Sequence, residues 1–486
     1  MSLEEIQTAP SAKKWAANSF AISVIAHAAI AVLAVFIVAM VYEDKPQAEF
    51  ASAPPPRPRM EPRKLEMKVR ANQLQRRSSR PKLAPRLAAM TPSQIALPEI
   101  KKFSDSKQKV KRNASVLGNV GNGLGIGGGF GDGLGGGGGG FGLPQVMQDR
   151  CNPASRMARL QKSGGDARAE AAVTKGLTWL AGDQNSDGSF GQGYKVGMTG
   201  LALLAFLGHC ETPDSPQFGV NVSKALEYLI NVATKNNGEL RTPGFNHWGY
   251  EHAIATYALC EAYTITRMEG LKGVVAPAVQ RIVYGQSPDG GWRYELDKKE
   301  SDLSVAAWCI QALKAAHLTG LNLPDVDKSL DEAIKYVEKC TRDDGGVGYM
   351  PGHGAKGGLD GAGVLCMQIW KKGEMRHTRK TLELIVKRAD KFDWNGPGAN
   401  LYAWYYETQA CFQRGGSHWT RWNAAFQMSV LGAQGPDGSW PATGGQPNAG
   451  GLSWYGGGGN KDARVYRTAL AVLMLEVYYR YLPSGA

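Results

Sequence analysis

The chain has 486 residues and a formal charge of +13, which exceeds one average domain, yet its composition is unevenly spread. Residues 57–112 carry seventeen Lys or Arg against Glu61, Glu66, Glu99 and Asp105, an excess equal to that of the whole chain. The remainder is therefore close to neutral, so a basic pI argues for nucleic acid only in that stretch, and no nucleic-acid partner is expected.

Residues 1–14 form a short N-terminus ending in Lys13 and Lys14. An almost uninterrupted apolar run follows from Trp15 to Tyr42. At 1.5 Å per residue it is long enough for the roughly 30 Å of a bilayer core, which predicts a single-pass transmembrane helix over 15–42. A signal peptide would have a shorter core and a small-x-small cleavage site. The flanking charges put the N-terminus in the cytoplasm and everything after residue 42 outside it, at the cytoplasmic (inner) membrane. Residues 43–117, rich in Pro, Lys and Arg, read as a disordered, partly extended linker able to touch the cell wall. Residues 118–149, rich in glycine, read as a flexible linker; Gly125 to Gly129 lack the strand, helix and Lys-Ser/Thr of a phosphate-binding loop.

From residue 150 onward one turn is written repeatedly. Gln184 to Gly191 (QNSDGSFG) recurs as Gln286 to Trp292 (QSPDGGW), Arg342 to Tyr349 (RDDGGVGY) and Gln434 to Trp440 (QGPDGSW), with a weaker copy at Asn236 to Leu240. Gly188, Gly238, Gly290 and Gly345 are spaced about fifty residues apart, a repeat architecture. Asp-Gly supplies the positive φ of a tight turn, and the following aromatic can pack back on the helix just finished.

Between the turns the apolar period is helical. Six pairs follow: Ala172 to Leu180 with Met198 to Leu207, Val222 to Ala233 with Tyr250 to Tyr263, Ala276 to Tyr284 with Asp302 to Ala316, Leu330 to Cys340 with Asp360 to Trp370, Thr381 to Ala389 with Ala399 to Phe412, and Trp422 to Ala433 with Ala463 to Tyr481. The first helix of a pair is amphipathic and the second apolar nearly all round, so the second set belongs inside. No polar capping repeat ends the series, which favours a closed double ring over an open stack. Of the seven cysteines, Cys210, Cys260, Cys309, Cys366 and Cys411 recur in step with the repeat and read as small core residues. Their odd total and spacing give no disulfide framework.

A ring of six helix pairs with Gln-x-x-x-Gly-x-Trp turns resembles the terpenoid cyclase and protein prenyltransferase α/α-toroid superfamily. The matching positions are Gln184 with Phe190, Gln286 with Trp292 and Gln434 with Trp440. It is most similar to bacterial membrane-anchored proteins with prenyltransferase and squalene oxidase repeats. The resemblance implies an all-α, (α/α)6 toroid over 150–486. Cyclases of the superfamily take a proton from the third position of an Asp-x-Asp-Asp-Thr segment; laid on Glu300 to Ser304, this gives Asp302 as acid with Glu300 ahead of it, but Leu303 replaces the fourth position. Asp302 is equally suited to cap the helix that follows, as are Asp360 and Thr199, and the cap is the expected role. The zinc site of prenyltransferases would need a thiolate where Ser304 and Ala362 stand, and a His after Asp360, whereas His353 precedes it. Neither metal nor cofactor is expected.

What remains is a cavity. The first turns of the inner helices would bring Tyr250, Glu251 and His252 near Asp302, Asp360, Asn400, Tyr402, Tyr466 and Arg467, with Trp308 deeper. Such a site suits a lipid, isoprenoid, glycan or peptide ligand, bound outside the membrane without a complete catalytic set. The alternative is an enzyme, a terpene-type cyclase using Asp302 or a polysaccharide lyase. The N-terminal helix and spacer also resemble a TonB-type energy transducer, but a toroid stands where those proteins end in a small domain; His27 is the one ionisable residue in the span.

Overall fold

The computed structural model describes residues 150–481, except 166, 356, 371, 445–452, 454 and 455, together with His27. The apolar run 15–42 apart from His27, both linkers (43–117 and 118–149) and the glycines at 125–129 lie outside the described residues. Among the described residues no helix is long and apolar enough to cross a membrane.

Apart from turns and loops the described residues form helices, with one isolated bridge between Thr341 and Val347. A short helix α1 (Pro153–Lys162) precedes the pairs. It opens with Asn152, whose Oδ1 accepts from the amides of Ala154 and Ser155, and with Pro153 at its first position. The outer helices are α2 (Ala167–Asp183), α4 (Gly219–Lys235), α6 (Glu269–Gly285), α8 (Val326–Cys340), α10 (Arg376–Lys387) and α12 (Gly416–Ala433). The inner helices are α3 (Lys195–Gly208), α5 (Trp248–Thr266), α7 (Leu303–Leu318), α9 (Asp360–Ile369), α11 (Leu401–Arg414) and α13 (Lys461–Leu475), the last followed by one turn, α14 (Val477–Arg480). Each inner helix packs against the next, and α13 returns to pack on α3 while α12 meets α2. The ring is closed.

The repeated turn supplies both the reversal and the staple between repeats. Gly188, Gly290 and Gly438 have φ of 85°, 99° and 91°. A Cβ there would also run into the carbonyls of Lys224, Glu332 and Lys175 on the next outer helix. The turn aspartates accept from amides two residues on, as Asp289 does from Gly291 at 3.1 Å and Asp437 from Ser439 at 3.0 Å. Trp292 and Trp440 pack back as the sequence predicts, their indole N–H groups donating to the carbonyls of Ile282 at 2.7 Å and Val430 at 2.8 Å. The glutamine holds its own turn and the neighbouring outer helix at once: Gln286 Nε2 donates to the carbonyls of Gly290 and Ser329, both at 2.8 Å. Gln434 does the same with Gly438 and, across the seam, with Ala172 of the first pair, both at 2.9 Å.

The cysteines need one correction. Cys260, Cys309, Cys366 and Cys411 are free and buried, but Cys210 forms a disulfide with Cys151. It stands beyond the end of α3 with φ of 67°, outside the core register of the other four.

Candidate functional site

All inner helices start at one end of the ring, where polar side chains of their first turns meet the loops and helices beside them. Glu251 Oε1 accepts from the Gly197 amide at 3.0 Å and the Thr242 hydroxyl at 2.8 Å, and Oε2 accepts from the Thr242 amide at 2.7 Å. Burial raises its pKa in spite of these donors. His252 Nδ1 accepts from the Leu240 amide at 3.0 Å, so Nε2 carries the proton and donates to the Ala278 carbonyl at 2.9 Å. Burial pushes this imidazole down to about 4, leaving it neutral. Asp360 Oδ1 accepts from the Val347 amide at 2.9 Å, and Oδ2 pairs with Arg388 at 2.9 Å. Asn400 caps α11 through the Ala403 amide at 3.0 Å. Arg467, which burial and Arg464 push down to about 10, donates to the carbonyls of Trp440, Gly456 and Gly458. Asp462 accepts from the amides of Gln192, Gly193 and Tyr194 and so ties α13 to the first repeat. Glu300 stands apart at the surface, paired with Arg293.

Asp302 differs from these. Its Oδ1 caps α7, accepting from the Val305 amide at 3.0 Å and the Ser304 hydroxyl at 2.5 Å. The residue is 0% exposed, yet Oδ2 has no hydrogen-bond partner. Burial raises its pKa, opposed by Ser304, the Val305 amide, the nearby Tyr349 hydroxyl and Arg293. The carboxyl is ringed by hydroxyls. Tyr250 Oη meets Ser304 Oγ at 2.5 Å, and Tyr402 Oη donates to the Ser304 carbonyl at 2.8 Å. The Tyr294 and Tyr349 hydroxyls touch, and the Tyr349 carbonyl holds the Leu303 amide at 2.9 Å.

Aromatic rings continue inward. Trp308 stacks on Tyr405 with centroids 5.2 Å apart and meets Tyr406 edge-on, while Tyr402 lies 5.0 Å from Tyr406. Gln311 is shared between Tyr406 at 3.2 Å and Tyr405 at 3.4 Å. Tyr466 is fully buried, its phenol raised first by burial and then by Tyr250 and Tyr405. These side chains line the inner helices, and small parts of Tyr250, Ser304 and Tyr402 remain exposed.

The structure thus gathers Tyr250, Asp302, Trp308, Tyr402 and Tyr466, and gives Glu251, His252, Asp360, Asn400 and Arg467 to the chain's own backbone or ion pairs. Ser304, Tyr294 and Tyr349 join the site without having been singled out in the sequence. A signal existed for two of them: Tyr294 and Tyr349 each stand four residues past the turn glycine of their repeat, Gly290 and Gly345. Among the described residues no group of three or more His, Cys, Asp or Glu side chains gathers at metal-binding distance.

Solved structures with similar chains include cellobiose 2-epimerase from Spirochaeta thermophila, 13% identical with a TM-score of 0.49 over 67% of this chain and 99% of that one. A variant of the type II terpene cyclase MstE from Scytonema, in complex with geranylgeranyl dihydroxybenzoate, is 13% identical with a TM-score of 0.45 over 68% and 99%. An inactive α-1,6-mannanase variant from Salegentibacter, in complex with α-1,6-mannotriose, is 10% identical with a TM-score of 0.46 over 64% and 99%. The prenyltransferase alpha-alpha toroid domain matches residues 174–435, more than half of the chain, so the protein belongs to that family.

Proposed function

We propose that the ring is a ligand-binding module, held outside the cytoplasm by the 15–42 segment, that takes an uncharged, largely hydrocarbon ligand of isoprenoid type beside Asp302. The observation that carries this is the distribution of unmet polar groups at the inner-helix first turns. Among Glu251, His252, Asp302, Asp360, Asn400, Asp462 and Arg467, only Asp302 has a buried carboxylate oxygen without a hydrogen bond. A sugar brings several hydroxyls that would lose water among these rings, at a cost of about 1–3 kcal/mol for each one left unmet. A diphosphate or uronate needs a free cation, and Arg388 and Arg467 are both committed, to Asp360 with Glu407 and to three carbonyls. Aromatic faces beside one neutral or weakly acidic group suit hydrocarbon with at most one polar atom. The Cys151–Cys210 disulfide supports a compartment outside the reducing cytoplasm.

A second reading, a proton-initiated cyclase, is favoured by the raised pKa of Asp302 and by the rings of Trp308, Tyr402, Tyr405, Tyr406 and Tyr466. Asp302 would give its proton to a double bond and the rings would steady the resulting cation. Both readings are tested by incubating the full chain with squalene, geranylgeranyl diphosphate, a neutral glucan and polygalacturonate, then following retained ligand and products by mass spectrometry. Binding is expected for squalene alone, and Asp302→Asn should retain it. Capture of the diphosphate or of a glycan would overturn the proposal. A squalene-derived product that vanishes in Asp302→Asn would establish the enzyme.

A further inference from the structure

The opposite end of the ring, where the inner helices finish, is covered by a segment outside the repeats. Residues 150–165, which include α1, cross it. Arg150 is 1% exposed, and its Nη2 lies 2.8 Å from Glu261 Oε1 near the end of α5; the other oxygen of Glu261 pairs with Arg480 at 2.7 Å. Cys151 is joined to Cys210 beyond α3. Arg156 pairs with Glu170 of α2 at 2.7 Å and donates to the Arg150 carbonyl at 2.8 Å. Leu160 is buried at the ring's edge. At the far end of the segment, the Ser163 carbonyl accepts from Trp419 at 2.7 Å and the Gly164 carbonyl from Asn423 at 2.9 Å, both on α12.

This segment therefore grips the second pair at Glu261, the first at Cys210 and Glu170, and the sixth at Trp419 and Asn423. It straddles the seam where the last repeat meets the first. Its other grips are polar contacts, together with Arg156 over the ring of Tyr479, buried Leu160 and half-buried Met157 on a single ten-residue helix too short to persist alone in water. The disulfide is the one covalent grip, and Cys151 is exposed. Glu261 would keep Arg480 when Arg150 leaves, so release need not strand a buried charge.

We propose that residues 150–165 form a strap over the seam and back end of the ring, and that the Cys151–Cys210 disulfide is its thiol-sensitive latch. The opening reagent is a dithiol. Its thiolate attacks the Cys151 sulfur and displaces the Cys210 thiolate, and its second thiol then displaces Cys151 and closes the reagent's own disulfide. Two electrons and two protons pass to the protein, leaving two cysteine thiols.

Timed trypsin digestion of the full chain, oxidised and after treatment with a dithiol, tests this when strap peptides are followed by mass spectrometry. Cleavage after Arg156 and Arg159 should become at least about tenfold faster on reduction, since cleavage tracks the open population. Cleavage after Lys328 and Lys335, exposed on α8, should keep its rate. The Cys151→Ser/Cys210→Ser double variant should match the reduced protein, and alkylation reports that both thiols were freed. Unchanged strap cleavage with both thiols free would overturn the latch. So would acceleration at Lys328 and Lys335 in step with the strap, because the disulfide would then hold the whole ring together.

Discussion

Glu476, at the junction of α13 and α14, is 0% exposed, and neither of its carboxyl oxygens has a hydrogen-bond partner. Arg480 comes no closer than 3.9 Å and is itself drawn to Glu261. Burial pushes the Glu476 carboxyl up from 4.5 to about 8, with Arg480, His209 and Arg150 opposing and Glu261 assisting. Below pH 4.5 the group is protonated both folded and unfolded, and the effect on stability is nil. Between pH 4.5 and 8 the unfolded chain ionises while the folded one does not, so stability falls by about 1.4 kcal/mol per pH unit, or about 3 kcal/mol by pH 7. Glu476→Gln keeps the shape and removes the titration. Its extra N–H donors find no acceptor and shift the variant by a constant of about 1–3 kcal/mol at every pH. The difference in unfolding free energy between variant and wild type should therefore rise in the variant's favour from pH 5 to pH 8 and flatten above. Urea unfolding at pH 5, 6, 7, 8 and 9 measures it. Taking the difference cancels His209, whose imidazole, hydrogen-bonded to Glu170 and Glu211 and raised to about 9, contributes stability that is lost as pH rises through that value. A difference independent of pH would refute the reasoning, since Glu476 would then ionise alike in both states.

Asp302→Asn and Asp302→Ser should unfold at urea concentrations close to wild type, because each keeps an acceptor for the Val305 amide, whereas Asp302→Ala should lose about 1 kcal/mol; an Asn variant as weak as Ala would mean that the carboxylate's charge matters, not the cap. Gln434→Ala and Gln286→Ala should each cost about 1–3 kcal/mol, since both strip partners from two carbonyls. If Gln434→Ala is neutral while Gln286→Ala is not, the seam is open in solution.

The fold was legible because its instructions are repeated. A glycine that must take positive φ and leave room for the next outer helix, a glutamine with two carbonyls to reach, and an aromatic that folds back are the same local demands in successive copies. Closure followed from the absence of a polar cap, and Gln434 makes it concrete by using the repeat's own staple across the seam. The disulfide was not legible. Cys151 belongs to a segment with no repeat pattern, and Cys210 sits where a periodic reading expects a core cysteine. Standing two residues past the helix end, at φ of 67°, turns it from the core to the strap. Only the tertiary path of residues 150–165 reveals that.

The site was legible as a set of residue types but not as a set of free groups, and the reason lies in how a closed ring is built. Inner helices are buried all round, including their first turns, and the loops that reach them bring backbone N–H groups into places where water cannot serve them. Carboxylates, imidazole and hydroxyls at those turns are therefore taken up by Gly197, Leu240, Thr242, Val347 and Gln192 to Tyr194. A backbone amide has no residue signature, so a sequence shows Glu251 and Asp360 as polar groups beside a cavity without showing that they are spent. Asp302 escapes because its cap and Ser304 need only one oxygen. The second oxygen, buried without a hydrogen bond, is the surplus that the architecture does not consume. A change at Glu251 or Asp360 should accordingly act first on folding, since it would leave the amides of Gly197, Thr242 or Val347 without their acceptor.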